Sequence, residues 1–463
     1  MPDDRAAAAA VAARPAAFAD VPSFVRSMAF ADLPPDVVLQ AKRCLLDLIG
    51  VAAAGTSTRA SAIVRSYAAS QLCGGEESAR MLFDGRRSGI AGAAFAGAAT
   101  IDAVDGHDGH VLTKGHAGVA ILPALLALCD GVHRRPVIDG REFLTCLTLG
   151  YEIATRAGIA QHATVADYHC SGSWNAIGCA AVAARFMDLD EARIREALGI
   201  AEYFGPRGQM LRTCGSPSMV KDASGSGAQT GITAASLARH GFTGAPAATV
   251  ESADAARYWT DLGELWRIRE QYFKAYPVCR WAQPAVEAAL ELQRAHGFTA
   301  ADIARISIET FGEAVALGSQ CSLPATTEDA QYSLPYPVAA VLVFGRLGAA
   351  EIELPKLADP RVRRLLGVLT VTEHDAYSRL FPAERWAHLR ISLNDGRTLV
   401  SRPAQARGGP ENALSDDELQ AKYFELAEPA LGRPRAQRIE RLVREIQDCN
   451  TVSELLEGLL SPT

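Results

Sequence analysis

Between residues 41 and 240 the sequence contains a series of segments that are apolar on nearly every side and rich in alanine and glycine. A helix of this kind is buried among other helices, because it has no polar face to turn toward water. We therefore expect a large helical core. Its central helices should come from the segments 41–53, 93–104, 119–129, 140–157, 174–186 and 227–240.

The pattern changes after about Gln271. Segments that alternate apolar and polar residues predict half-buried strands. Two of them flank Asn394-Asp395-Gly396, a strong hairpin signal. After Ser415 the sequence SDDELQ is typical of a capped helix start. The strand patterns cover 304–310, 387–393 and 397–401, and helical patterns cover 284–296 and 338–347.

These patterns predict a mainly α protein that combines a large all-helical domain with a smaller α/β (α+β) domain. The helical domain would comprise residues 21–270 and 411–463. The α+β domain, 271–410, would then be an insertion in it. Residues 1–20 are rich in alanine, and we expect them to form a poorly ordered lead-in.

Several helix ends are marked by residues typical of caps. The segment 188–198 begins with acids and is followed by Gly199, which predicts a helix that ends there. Gly241 predicts the end of the helix over 227–240 in the same way. Ser171 and Ser173 precede an alanine-rich helix, and both are candidate N-caps.

The charge balance excludes two classes of partner. Lys and Arg total 46 against 53 Asp and Glu, so the net charge is -7. Nucleic-acid and membrane-surface binding both favour a basic excess, and we expect neither partner.

The ten cysteines form no CxxC pair and lie in apolar segments, which favours reduced thiols in the cytoplasm. The N-terminus lacks the layout of a signal peptide, which favours the same compartment.

The densest polar cluster runs from Asp105 to Gly118 and includes Asp108, His110 and His116. It lies between two apolar helical segments, where a titratable loop is well placed to form a site. General acid/base chemistry is one reading, because histidine titrates near neutrality and carboxylates orient it. A divalent metal site and a solvated turn-rich loop remain alternatives.

Four further segments carry candidate groups. His169 precedes an alanine-rich helix, and Lys221 follows an apolar pair. Lys274 and Arg280 lie at the junction of the two modules, where ligand sites are common. Tyr336 begins an apolar helical segment. Cys279 lacks an identifiable paired base, and nucleotide, zincin and α/β-hydrolase motifs are absent from the sequence.

In their order and spacing these segments resemble the 2-methylcitrate dehydratase-like family, called MmgE/PrpD, which also includes cis-aconitate decarboxylases and an iminodisuccinate epimerase. The similar motifs are DGHxxxxGHxG at 108–118, SMVKD at 218–222, KxYPVCRW at 274–281, YSLPY at 332–336 and GPEN at 409–412. There are departures. Gly109 stands where dehydratase- and decarboxylase-type members often have threonine, and Ala117 and Gln283 replace a common proline and histidine.

The resemblance implies a helical domain with a smaller lid domain, a homodimer, and a reaction that needs no cofactor and no metal. It implies the catalytic residues Asp105, His116, His169, Lys221 and Tyr336. We assign Asp108, His110, Lys274 and Arg280 to substrate binding. In this hypothesis either histidine is the base, Asp105 orients it, and Tyr336 supplies a proton or hydrogen bond from the lid.

The expected function is a cofactor-independent lyase, of dehydratase or decarboxylase type, acting on a small di- or tricarboxylate. Proton transfer next to a carboxylate builds up negative charge, which cationic side chains such as Lys221 and Arg280 would neutralise. An epimerase of an amino-dicarboxylate such as iminodisuccinate is the alternative. A catalytically inactive binding protein on the same fold is a minor one.

Overall fold

The structure, a computed structural model, describes residues 18–131, 137–319 and 323–463. Most of the predicted lead-in, residues 1–17, and one cysteine, Cys321, lie outside the described residues.

The first part of the chain is helical, as its apolar segments predict. Helix Gly172–Phe186 lies at the centre and packs against Gly140–Thr164 and Ser224–Arg239. Small residues allow this: a Cβ at Gly231 would lie 2.4 Å from the Cβ of Cys179. The helices of this part are Val21–Ser27, Pro35–Gly55, Arg59–Gln71, Ile90–Asp102, Gly118–Gly131, Gly140–Thr164, Gly172–Phe186, Glu191–Phe204, Met210–Gly215, Ser224–Arg239 and Ala248–Glu251.

One predicted helix end differs from the structure. Helix Glu191–Phe204 continues through Gly199, so the predicted end at that glycine is wrong. The glycine serves packing instead, because a Cβ there would lie 1.9 Å from the carbonyl oxygen of Ala245. Ser171 occupies the N-cap position of helix Gly172–Phe186, although its side chain makes no capping hydrogen bond, and Ser173 lies inside the helix. The end near Gly241 is confirmed, since helix Ser224–Arg239 ends shortly before it.

The second part contains a mixed sheet in the order Leu369–Glu373, Ile303–Thr310, Trp386–Leu393, Thr398–Val400. The first two strands are parallel and the other pairings antiparallel. The predicted hairpin is confirmed, with Gly396 at φ 90° in its turn. Strand Ala404–Gln405 also pairs with Trp386–Leu393. The helices here are Gln283–His296, Gly312–Ser319, Thr327–Gln331, Pro335–Phe344, Leu354–Leu357, Pro360–Leu366 and Asp375–Ser378.

The C-terminal tail returns to the first helical core. Helix Asp416–Leu431 packs against Pro35–Gly55, and the apolar side chains of the tail join the hydrophobic cluster of the first part. Ser415 forms the expected capping box with Glu418. The tail helices are Asp416–Leu431, Arg433–Arg444 and Ser453–Leu460. Among the described residues, none of the helices has the length and apolar character needed to cross a bilayer.

Candidate active site

A small cavity, with about 30 Å³ of space open to a water-sized molecule, lies between the two hydrophobic clusters of the molecule. The helical part and the α+β part both line it. Besides tyrosine hydroxyls and thiols, its ionisable lining comprises one imidazole, two carboxylates and four cationic side chains. These groups are His116, Asp105, Asp222, Lys114, Lys274, Arg280 and Arg385.

A short antiparallel ladder joins the two halves of the site. Strand Gly109–His110 pairs with Gln271–Tyr272, which holds the polar loop against the segment that carries Lys274. The His110 imidazole is engaged outside the cavity lining, with its Nε2 2.6 Å from Glu270 Oε2. Burial lowers the pKa of His110, although Glu270 opposes that effect.

His116 is held as a neutral base. Its Nδ1 lies 2.5 Å from the carbonyl oxygen of Asp108. A carbonyl only accepts hydrogen bonds, so we assign the proton to Nδ1, which leaves a lone pair on Nε2. Burial, followed by the charge of Lys274, lowers the pKa of His116 well below its usual value. The ring is therefore unprotonated at neutral pH.

Close approach around His116 explains the glycine at position 109. A Cβ on Gly109 would lie 2.6 Å from His116 Nδ1 and 2.6 Å from the hydroxyl oxygen of Tyr272. A threonine there would displace the imidazole or the tyrosine ring. The glycine at position 109, where related sequences often have threonine, is therefore explained by the close packing of His116 and Tyr272.

Asp105 and Lys274 form a buried ion pair at the cavity wall. Lys274 Nζ lies 2.8 Å from Asp105 Oδ1 and 3.1 Å from the Asp105 carbonyl oxygen. Burial lowers the pKa of Lys274, but Asp105 together with Tyr272 and Cys279 outweighs that effect, and the pKa lies above its usual value. The ammonium is therefore charged at neutral pH. Asp105 Oδ2 has no hydrogen-bond partner among the described residues.

Backbone strain is concentrated around this cavity. Asp105, Lys114, Lys221 and Ala223 adopt φ values of 56°, 50°, 50° and 53°, in the left-handed region that side-chain-bearing residues seldom occupy. Such strain persists only where the surrounding packing imposes it, and it is often found at functional sites. The strained positions carry an acid and two cations of the candidate site.

Asp222 is a site residue that was not singled out from the sequence. Its Oδ2 accepts a hydrogen bond from Ser171 Oγ at 2.7 Å and lies 3.9 Å from His116 Nε2. Burial and the negative charge of Asp102 raise the pKa of Asp222. Burial thus favours a protonated carboxyl next to the neutral imidazole.

The cationic groups differ in how far they are already engaged. Lys114 Nζ lies 5.0 Å from the centre of the Tyr168 ring. Arg385 donates one bond to the Val111 carbonyl, at 3.2 Å, and its buried Nε has no partner among the described residues. Arg280 donates to the carbonyls of residues 273, 406 and 407. Much of the Arg280 guanidinium is therefore occupied by backbone.

Lys221 lies beside the cavity lining. Its Nζ donates to Gln331 Oε1 and sits 5.1 Å from the centre of the Tyr332 ring, which lines the cavity. Tyr332 was not singled out from the sequence, although it begins the same YSLPY motif as Tyr336. The Tyr336 hydroxyl donates to the Glu351 carbonyl at 2.5 Å, within the second hydrophobic cluster.

Two more predicted residues lie outside the lining. His169 forms a backbone bridge with Gln209, and both of its buried ring nitrogens lack hydrogen-bond partners among the described residues. The Asp108 carboxyl accepts a hydrogen bond from Tyr151 below the loop. Burial and the charge of Asp47 raise the pKa of Asp108 to about 7. Only the Asp108 carbonyl reaches His116.

A metal ion was an open alternative for the polar loop. Within 18–131, 137–319 and 323–463, no group of three or more His, Cys, Asp or Glu side chains is arranged to hold one. The loop's histidines and aspartates bond instead to one another's backbone, to Glu270 and to Tyr151.

Comparison with known proteins gives family matches over both parts of the chain. The MmgE/PrpD N-terminal domain matches residues 19–262, and the MmgE/PrpD C-terminal domain matches residues 276–448. Cis-aconitate decarboxylase-like protein oryM of Aspergillus oryzae is 26% identical, over 95% of this chain and 96% of its own. Human cis-aconitate decarboxylase is 23% identical, over 92% and 91%. The 2-methylcitrate dehydratase of Cupriavidus necator is 30% identical, over 60% and 62%. This chain belongs to the MmgE/PrpD family.

Proposed function

We propose that the protein is a lyase that acts on a small di- or tricarboxylate by moving a proton next to a carboxylate. One observation carries this proposal. The same cavity is lined by a neutral imidazole, whose Nε2 is free to accept a proton, and by four cationic side chains. A base surrounded by cations matches a reaction whose intermediate is an anion of an already anionic substrate.

His116 is the proposed base. Its lowered pKa keeps the ring unprotonated at neutral pH, and the Asp108 carbonyl fixes the tautomer with Nε2 available. Lys274, Lys114 and Arg385 are the proposed partners of the substrate carboxylates and of the charge that develops on the intermediate. Fixed cations in a buried site stabilise such charge without having to reorganise.

Asp222 is the proposed acid. Burial favours its protonated form, and its Oδ2 lies 3.9 Å from His116 Nε2. A base and an acid side by side suit removal of one proton and protonation of a nearby leaving group. Epimerisation instead needs acid/base groups on opposite faces of one carbon. The adjacency of His116 and Asp222 therefore supports a lyase over the epimerase alternative.

The relatives support the same class of reaction. Two relatives that are similar over more than nine-tenths of the chain are named for cis-aconitate decarboxylation. A third, similar over a shorter stretch, is named for 2-methylcitrate dehydration. The substrates in those names are tricarboxylates. Gly109, which differs from the threonine common in dehydratase- and decarboxylase-type members of the family, packs directly against His116. The substrate preference of this protein can therefore differ from that of each relative.

An activity screen by proton NMR tests the proposal. Purified protein is incubated with a panel of di- and tricarboxylates and amino-dicarboxylates in heavy water. We expect a new alkene or a decarboxylated product from at least one tricarboxylate. Deuterium entering a stereocentre of an amino-dicarboxylate, with no alkene and no loss of carbon dioxide, would establish the epimerase instead.

Cofactor independence is part of the proposal, because the residues named above can supply the base, the acid and the cations. We expect turnover to be unchanged after exhaustive chelation and desalting. Loss of turnover that only a divalent ion restores would overturn this part. The homodimer is also a proposal, resting on the resemblance, and the cytoplasmic location is one that rests on the cysteine pattern and the N-terminal sequence. Sedimentation at twice the chain mass would support the homodimer.

A further inference from the structure

A lysine of the C-terminal tail contacts the polar loop, residues 105–118, which carries His116. Lys422, on helix Asp416–Leu431, places its Nζ 2.5 Å from Asp47 Oδ1 and 2.7 Å from the carbonyl oxygen of Gly106. The Asp47 side chain is fully buried and that of Lys422 is 13% exposed. Neither side chain lines the cavity.

We propose that the Asp47–Lys422 pair is a positioning device for the acid/base groups, which rests on the proposed function. Gly106 directly follows Asp105, whose φ of 56° is strained. A hydrogen bond from Lys422 to the Gly106 carbonyl fixes the Gly106–His107 peptide plane, one residue beyond that strained position. Asp47 in turn fixes the Lys422 ammonium, because a buried carboxylate requires a cationic partner.

The same pair acts on His116 through Asp108. From Gly106 the loop runs through His107 to Asp108, whose carbonyl accepts the Nδ1 proton of His116. Tyr151 holds the Asp108 carboxyl from helix Gly140–Thr164. If the Gly106 peptide is released, the Asp108 carbonyl loses one of the contacts that hold it in place. The imidazole then loses the acceptor that sets its tautomer.

Lys422 thus links the end of the chain to a loop more than 300 positions earlier. It touches neither the cavity nor the reacting groups, so its role is positioning rather than catalysis. A misplacement of about 1 Å in such groups lowers turnover by about a hundredfold. We expect that loss in kcat, with KM nearly unchanged, because the cations that would bind substrate stay in place.

The matched control is Lys42. It lies on helix Pro35–Gly55, as Asp47 does, and its Nζ donates to the Arg444 carbonyl at 2.8 Å. Lys42→Met removes a lysine-to-carbonyl bond between the same two regions without touching the loop. We expect Lys422→Met to lower kcat about a hundredfold and Lys42→Met to leave it at the wild-type value.

A second readout needs no substrate. In protein labelled with ¹⁵N-histidine, the His116 signals are those missing from His116→Gln. We expect the Nδ1-protonated tautomer in the wild type and in Lys42→Met. In Lys422→Met we expect a mixture of tautomers. If no carboxylate is turned over by the wild type, the proposed function fails while this readout still tests the pair.

A double variant guards against misfolding. Asp47→Leu with Lys422→Met leaves no unpaired buried charge, yet it also lacks the bond to Gly106. We expect it to fold and to show the same mixed tautomers and the same loss of kcat. The proposal is overturned if the double variant keeps a single His116 tautomer, or if Lys422→Met and Lys42→Met lose kcat equally.

Discussion

Breaking the buried pair between Lys274 and Asp105 should damage both stability and turnover. Their side chains are 1% and 5% exposed, and the ammonium donates both to the carboxylate and to the Asp105 carbonyl. Lys274→Met leaves that carboxylate buried without its cation. Removing one partner of such a pair costs about 3–5 kcal/mol of unfolding free energy. It also removes a cation from the cavity, and we expect kcat/KM to fall about 10²–10³-fold.

A double-mutant cycle in urea separates the pair from its surroundings. Asp105→Asn keeps a side chain that tolerates a positive φ and carries no charge. Combined with Lys274→Met, it leaves no unpaired charge, and we expect it to recover about 2–3 kcal/mol of the lost unfolding free energy. Turnover should not recover, because the cation is still missing.

A surface pair provides the comparison. Arg397 and Asp395 lie 2.8 Å apart, with side chains 58% and 52% exposed, so Arg397→Met should leave the urea midpoint close to the wild-type value. The reasoning is refuted if Lys274→Met unfolds within about 1 kcal/mol of the wild type. Unchanged turnover in Lys274→Met would refute the assignment of Lys274 as one of the cations that bind the substrate.

Two other perturbations follow from the loop. The pKa of Asp108, about 7, lies above that of an ordinary aspartate, about 3.9, so its protonated form stabilises the fold at low pH and that contribution is lost as pH rises through about 7. Between about pH 5 and about pH 8 the wild type should lose about 3 kcal/mol of unfolding free energy through this group, and Asp108→Asn should not show that loss. Equal slopes of urea midpoint against pH in the wild type and in Asp108→Asn would contradict this expectation. Gly109→Ala should lower the unfolding free energy by about 1–3 kcal/mol through overpacking, and it should lower kcat because the new Cβ meets His116. In the control, Gly75→Ala, the new Cβ meets nothing within 4 Å, and this variant should behave as the wild type.

The helical core was predictable from the sequence because its segments have no polar face. A segment such as 174–186 has nowhere to lie except between other helices, and it forms the centre of the helical part. The loop that carries Asp105 and His116 was predictable for a similar local reason. Acids, histidines and glycines are dense there, between two apolar helices.

Other parts of the site depend on contacts distant in the chain. Tyr332 ends helix Thr327–Gln331, while Tyr336 lies in helix Pro335–Phe344, and only the packing of the two helices decides which ring meets the cavity. Arg385 precedes a strand and belongs to no motif. Lys422 lies in a helix whose pattern is that of an ordinary amphipathic surface helix. Only the folded chain brings these residues to the loop.

Net charge is a poor guide to this site. The chain carries -7 overall, whereas the ionisable lining of the cavity has four cationic side chains and two carboxylates. One of those carboxylates, Asp222, has a raised pKa that favours its uncharged form. The cavity is therefore locally positive and suited to an anionic substrate, while the overall charge favours solubility.

The most direct test of the central claim compares the wild type with His116→Gln on the tricarboxylate that the wild type converts. Glutamine can still donate to the Asp108 carbonyl, but it has no basic nitrogen. We expect kcat to fall about 10²–10⁴-fold, with an unchanged urea midpoint and an unchanged KM. A variant that retains wild-type kcat would contradict the assignment of His116 as the base.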